Sequence, residues 1–145
     1  CTMLADYVVA VTLAEADIAE EVAERWIRSG NDLRMSAGWS CYCWMLGNRN
    51  DDTFDEKVIS ELLDFAKGAI QTASDRVKPS MTQFIQTVGM SYKPLHDKAL
   101  AVAKEIGTVE LKKAGKKSTF LQPALAIEKE LEKGRIGFKR KHVRC

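Results

Sequence analysis

Apolar residues recur along most of the chain at spacings of three and four, the pattern of amphipathic helices. The pattern is clearest from Asp75 to Gly107. Val77, Met81, Phe84, Ile85 and Val88 form one stripe; Leu95, Ala99, Val102, Ala103 and Ile106 form the next. Asp75 is placed to cap the first of these helices, and Pro79 falls early in it, where a missing N–H costs least. Gly107 is placed for the left-handed cap that ends the second. Helices of this length with a short connection lie antiparallel, and neither buries its stripe alone. Upstream, Thr2–Ala14 reads as the end of a helix carrying Leu4, Val8, Val9 and Val11. Ala16–Ser29 sets Ile18, Val22, Trp26 and Ile27 on one side. Asp32–Leu46 carries Leu33, Ala37, Trp44 and Met45, with a small patch, Ser36-Ala37-Gly38, where another backbone can approach. Thr53 and Glu56 have the spacing of a capping box ahead of Val58, Ile59, Leu62, Leu63, Ala66 and Ile70.

These helices start near residues 16, 32, 54, 76 and 95, so equivalent members recur every 41 to 44 residues. A helix pair at that period is the signature of HEAT and armadillo repeats. The expected fold is all-α, a HEAT-like solenoid of antiparallel helix pairs over residues 1–107, with a plain helical bundle as the alternative. The chain starts inside a helix and without Met, so it is expected to be the C-terminal part of a longer domain. Residues 108–145 differ in character and are expected to pack on the same domain. Thr108–Leu111 and Ser118–Leu121 are short β-like runs, and a small hairpin or a mobile basic loop both fit. Pro123–Lys133 is a last helix with Leu125, Ile127 and Leu131 inward, followed by a tail whose two glycines resist helix.

Charge changes the picture. The net charge of +2 conceals a split: residues 1–75 hold 14 acidic and 6 basic side chains, and residues 76–145 hold 6 acidic and 16 basic. A basic half of that strength is an electrostatic footprint for a polyanion. Its most concentrated parts are the loop Lys112, Lys113, Lys116 and Lys117, and the tail Arg135, Lys139, Arg140, Lys141 and Arg144. Arg76 and Lys78 join the candidate set. Clustered cations of this kind give salt-sensitive affinity that is largely independent of base sequence. A solvated charged end is the plain alternative. Phe138 and His142 either stack on bases or anchor the tail.

Other chemistry is sparse. No apolar run reaches the roughly 20 residues of a membrane helix. Four cysteines without a secretory signal give no disulfide framework, and cytoplasm is the expected location. Cys41 and Cys43 sit roughly 200° apart around a helix and share no metal easily. No cofactor is expected. His96 and His142 have no nucleophile placed beside them, and Gly115-Lys116-Lys117-Ser118 lacks the earlier glycine of a phosphate loop. Trp26, Trp39 and Trp44 are expected in the core. Few carboxylates have an apolar setting, and Asp6, between Leu4 and Val8, is the most interesting; it is either partly buried and tuned or a solvent-facing helix residue.

Several segments then resemble a known family. Trp26-Ile27-Arg28-Ser29, Ser36-Ala37-Gly38-Trp39, Arg76-Val77 with Met81 and Val88-Gly89, Ala103–Val109, and Gly134-Arg135-Ile136-Gly137 with Lys139-Arg140-Lys141 and Arg144-Cys145 are similar to DNA alkylation repair (AlkD-like) proteins. The likeness is to the shorter branch, which has a basic C-terminal tail. It implies a HEAT-like fold whose concave basic face holds double-stranded DNA. It also implies excision of N3- or N7-alkylated purines, whose cationic bases leave readily if a carboxylate stabilises the sugar. On this resemblance Asp6 falls near the catalytic Asp. The rest of the kit is only partly matched: Thr2 stands at a Trp position, and Gln86 stands where the wider family has Arg. A non-catalytic scaffold for nucleic acid or for an acidic protein partner is the other reading.

Overall fold

The computed structural model describes residues 4–140. A π-helical turn, Leu4–Val9, leads into α1, Ala10–Ala14. There follow α2 (Ala19–Ile27), α3 (Asp32–Asn48), α4 (Glu56–Ala69), α5 (Lys78–Ser91) and α6 (His96–Ile106). Short 3-10 turns at Asp51–Thr53 and Lys93–Leu95 precede α4 and α6. Strands β1 (Val109–Leu111) and β2 (Thr119–Leu121) come next, then α7 (Pro123–Glu132).

The helices stack in two layers. The π turn with α1, α3, α5 and α7 lie side by side, each against the next, while α2 backs α3, and α6 backs α5 and lies against α4. This is the HEAT-like arrangement that the recurrence of helix pairs implies. The core lies between the layers. Trp39, Tyr42 and Leu46 of α3, Leu62 and Leu63 of α4, and Phe84 and Val88 of α5 are fully buried there. Trp39, Tyr42 and Phe84 pack as one aromatic cluster, with ring centroids 4.8 Å and 6.1 Å from Phe84.

Two glycines set how closely the helices approach. A Cβ on Gly38 would stand 2.7 Å from the Ala23 carbonyl oxygen, so α2 and α3 touch backbone to backbone at the small patch expected there. A Cβ on Gly89 would meet the Ile127 side chain at 2.6 Å, which seats α7 on α5. Gly107, at φ +66°, ends α6 as expected.

The basic loop is a hairpin, with Val109 opposite Leu121 and Leu111 opposite Thr119. Val109 is fully buried and fixes the hairpin to the core.

Other local expectations are corrected. α4 is capped by Asp55, whose carboxylate accepts from Lys57 N–H at 3.0 Å, and not by Thr53, which donates to the Asn50 carbonyl. Asp75 caps nothing; α5 starts at Lys78, and Asp75 faces the Lys78 ammonium at 3.5 Å. Leu4, Val8, Ile18 and Leu33 are exposed, as are Leu125 and Leu131, so the stripes at both ends of the stack do not all point inward. In α7 Ile127 is the inward anchor. Trp26 is only half-buried.

Candidate nucleic-acid interface

α3 and α5 are covered on one side by α2 and α6, and their other sides meet in a groove. α3 contributes Ser40 and Trp44, one turn apart, and α5 contributes Ser80, Gln83 and Thr87. Small polar side chains leave room between two adjacent helices, and the result is a concavity of about 370 Å³. Its remaining walls are the π turn, through Asp6 and Tyr7, and the C-terminal segment, through Arg140.

Asp6 is three-quarters buried and fully engaged. Arg76 Nη1 donates to its Oδ2 at 2.8 Å, and Ser36 Oγ donates to Oδ1 at 2.6 Å. The same guanidinium nitrogen donates to Ser36 Oγ at 2.8 Å. The pair neutralises a carboxylate on the groove wall and ties the π turn to α3 and to the segment before α5. Of the two readings of Asp6, partial burial holds.

The other end of the groove is cationic. Residues 134–140 run as a strap across the C-terminal ends of two helices. The N–H of Gly137 donates to the Met90 carbonyl of α5 and that of Arg140 to the Gly47 carbonyl of α3, each at 2.7 Å. These are end carbonyls without a partner inside the helix. Anchored this way, Arg140 lays its guanidinium 5.4 Å from the centroid of the Trp44 ring, and Tyr7 meets the same ring edge-on at 5.3 Å. Trp44 is buried as expected, yet it forms part of the groove wall.

The Cys43 thiol also lines the groove but is chemically quiet. Burial pushes it up to about 12, against weaker opposing effects from a Thr87 hydrogen bond and Arg140. Burial likewise pushes the Cys41 thiol up to about 12. Neither is a nucleophile near neutral pH.

The sequence model of a family described as DNA alkylation repair enzyme matches residues 1–124. The chain belongs to that family. Among curated proteins of similar sequence, the uncharacterized protein Lin0241 of Listeria innocua is 35% identical over 118 residues, covering 81% of this chain and 49% of that one. The uncharacterized protein Lmo0209 of Listeria monocytogenes is 34% identical over 99 residues, 68% of this chain and 41% of that one. A solved structure agrees over 99% of this chain with a TM-score of 0.94 and 56% identity, and this chain covers 61% of it. It is described as one of a new family of proteins related to the HEAT-like repeat DNA glycosylases with affinity for branched DNA structures. The chain therefore spans about half the length of the curated relatives it matches.

Within this DNA alkylation repair fold the candidate cations divide by environment. Lys112, Lys113, Lys116 and Lys117 are exposed in the hairpin loop, and their ammonium groups have no ion-pair or hydrogen-bond partner among the described residues. Arg140 is exposed at the groove. Others are held by the protein. Lys78 Nζ donates to the Glu110 carbonyl at 3.1 Å, which ties the hairpin to the head of α5 beside Arg76. Lys139 Nζ donates to the Leu46 carbonyl and pairs with Asp51, both at 2.7 Å. Arg135 lies 3.5 Å from Glu130. Lys141, Arg144 and His142 lie outside the described residues, and Phe138 is exposed. Gln86 is half-buried on α5 and does not line the groove, whereas Gln83, one turn earlier, does. Ser40, Gln83 and Tyr7 drew no attention as sequence, and Ser36 drew it only as part of the small patch. The usable signal was a second stripe on α3 and α5, made of small polar residues at the same spacing as the apolar one.

Proposed function

We propose that this chain is a DNA-binding helical-repeat module that holds double-stranded DNA near a branch point across the open face of α3 and α5. The observation that carries the reading is the match in fold and sequence to a protein described as having affinity for branched DNA. The exposed hairpin lysines and Arg140 supply the phosphate contacts, and the embedded cations Lys78 and Lys139 hold the frame that presents them. Location with the cell's DNA follows; no described helix is long and apolar enough to cross a membrane.

Binding of a four-way junction, titrated with salt, tests this. The Ala variant of Lys112, Lys113, Lys116 and Lys117 is expected to bind more weakly. The slope of log affinity against log salt should fall by about 0.9 for each phosphate that is no longer neutralised. A slope equal to that of the parent removes the hairpin from the interface.

A second reading, excision of an alkylated purine, draws on the placement of Asp6 in the groove wall. Incubation with a duplex carrying N7-methylguanine distinguishes the two. Base release that disappears in Asp6→Asn supports excision. Tight binding without release leaves the binding module, with Asp6 serving as the partner of Arg76.

A further inference from the structure

We infer that the groove between α3 and α5 is a subsite for one unpaired nucleotide, with its base against Tyr7 and Gln83 and its phosphate on Arg140. This deepens the branched-DNA reading and rests on it. The volume, about 370 Å³, lies at the small end of ligand sites, which run from about 300 to 1,000 Å³. A concavity of that size is far too small to take a duplex, which can only lie across its mouth. One nucleotide swung out of a helix can enter, and a nucleotide left unpaired at a branch has the least stacking to lose.

The chemistry of the walls fits such a ligand. Tyr7 is half-exposed and held edge-on to Trp44, so its ring is a fixed aromatic surface for a base. The exposed amide of Gln83 both donates and accepts, as the edge of any base requires. Arg140 is oriented twice, through its backbone N–H to Gly47 and through its guanidinium over Trp44. A cation fixed in that way loses little freedom on meeting a phosphate. Asp6 does not repel that phosphate, because its charge is already matched by Arg76. Among the described residues Arg140 has no ion-pair partner, which suits a single phosphodiester.

The test uses a duplex with 2-aminopurine as a single-base bulge, beside the same strand fully paired. The bulged probe is expected to bind at least about tenfold tighter, with a change in 2-aminopurine fluorescence on binding. Gln83→Ala and Tyr7→Leu are each expected to bring the ratio of bulged to paired affinity toward one. Gln83 is exposed, so its variant keeps the fold, and a thermal melt controls for Tyr7. Arg140→Gln should lower the salt slope for the bulged probe by about one. Equal affinity for the two probes with unchanged fluorescence overturns the subsite, as does a bulge preference indifferent to Gln83. Failure of both probes to bind at low salt overturns the DNA reading instead.

Discussion

Glu20 shows how a single carboxyl is caught between two effects. It lies in the first turn of α2, 3.7 Å from the Arg49 guanidinium. Burial nevertheless raises its pKa above the usual 4.5, with Arg49 opposing and Glu24 and Asp55 assisting. A carboxyl with a raised folded-state pKa holds its proton more tightly in the fold than in the unfolded chain. Its contribution to stability is therefore present at low pH and is lost as pH rises from 4.5 through the folded-state value. At neutral pH the ionised Glu20 is a net cost. Glu20→Gln is expected to match the parent in acid and to melt at a higher temperature at pH 7, the gap opening above pH 4.5. Arg49 keeps its hydrogen bond to the Ala14 carbonyl at 2.6 Å in that variant. A lower melting temperature at pH 7 would mean that the ion pair outweighs burial.

At the scale of elements, the two interhelical glycines predict different penalties. On Gly38 the obstacle is backbone, the Ala23 carbonyl oxygen, with Ile27 N only 3.1 Å away. Gly38→Ala must push α2 from α3, at a cost of about 1–3 kcal/mol or more. Adding Ile27→Ala removes only the 3.0 Å contact with its Cγ1 and leaves the backbone contact in place, so it relieves little of the loss. On Gly89 the obstacle is the side chain of Ile127. Gly89→Ala combined with Ile127→Ala is expected to be less destabilising than the two losses added, because the new methyl occupies part of the space vacated. Chemical denaturation of the single and double variants reads both results. These approaches also mark what was legible in the sequence. Helices that bury one stripe, such as α4 and α6, announce themselves through Ile59, Leu62, Leu63 and Ala66 or Ala99, Val102 and Ala103. α3 is enclosed by neighbours on most sides, so its pattern blurs; α5 shows its apolar stripe plainly, but the polar stripe on both helices looks like ordinary solvent-facing surface. Leu4, Val8 and Leu33 show the reverse case, in which helical spacing is present but no described neighbour covers it.

At the scale of the whole molecule, the basic half is not one surface with one task. Charge counts cannot separate a lysine that faces solvent from one that faces a carbonyl, and the sequence therefore grouped Lys139 with the loop lysines. In the fold, Lys139 is mostly buried and makes two short contacts at the end of α3, where a cation also complements the helix dipole. Removing it strands the Leu46 carbonyl and the Asp51 carboxylate, and hydrogen bonds to a charged group each contribute about 1.5–3 kcal/mol. Lys139→Ala is therefore expected to lower the melting temperature by several degrees, given about 2–4 °C per kcal/mol at this size. The four loop lysines touch nothing that stabilises the fold, so their joint replacement by Ala should leave stability within about 0.5 kcal/mol of the parent. Affinity for junction DNA should divide the other way, falling steeply for the loop variant and little for Lys139→Ala at temperatures where it remains folded. Thermal melts and binding isotherms on the same two proteins read the contrast. If Lys139→Ala kept its melting temperature but bound junction DNA poorly, Lys139 would belong with Arg140 to the DNA surface and would not be the clamp that closes the end of α3.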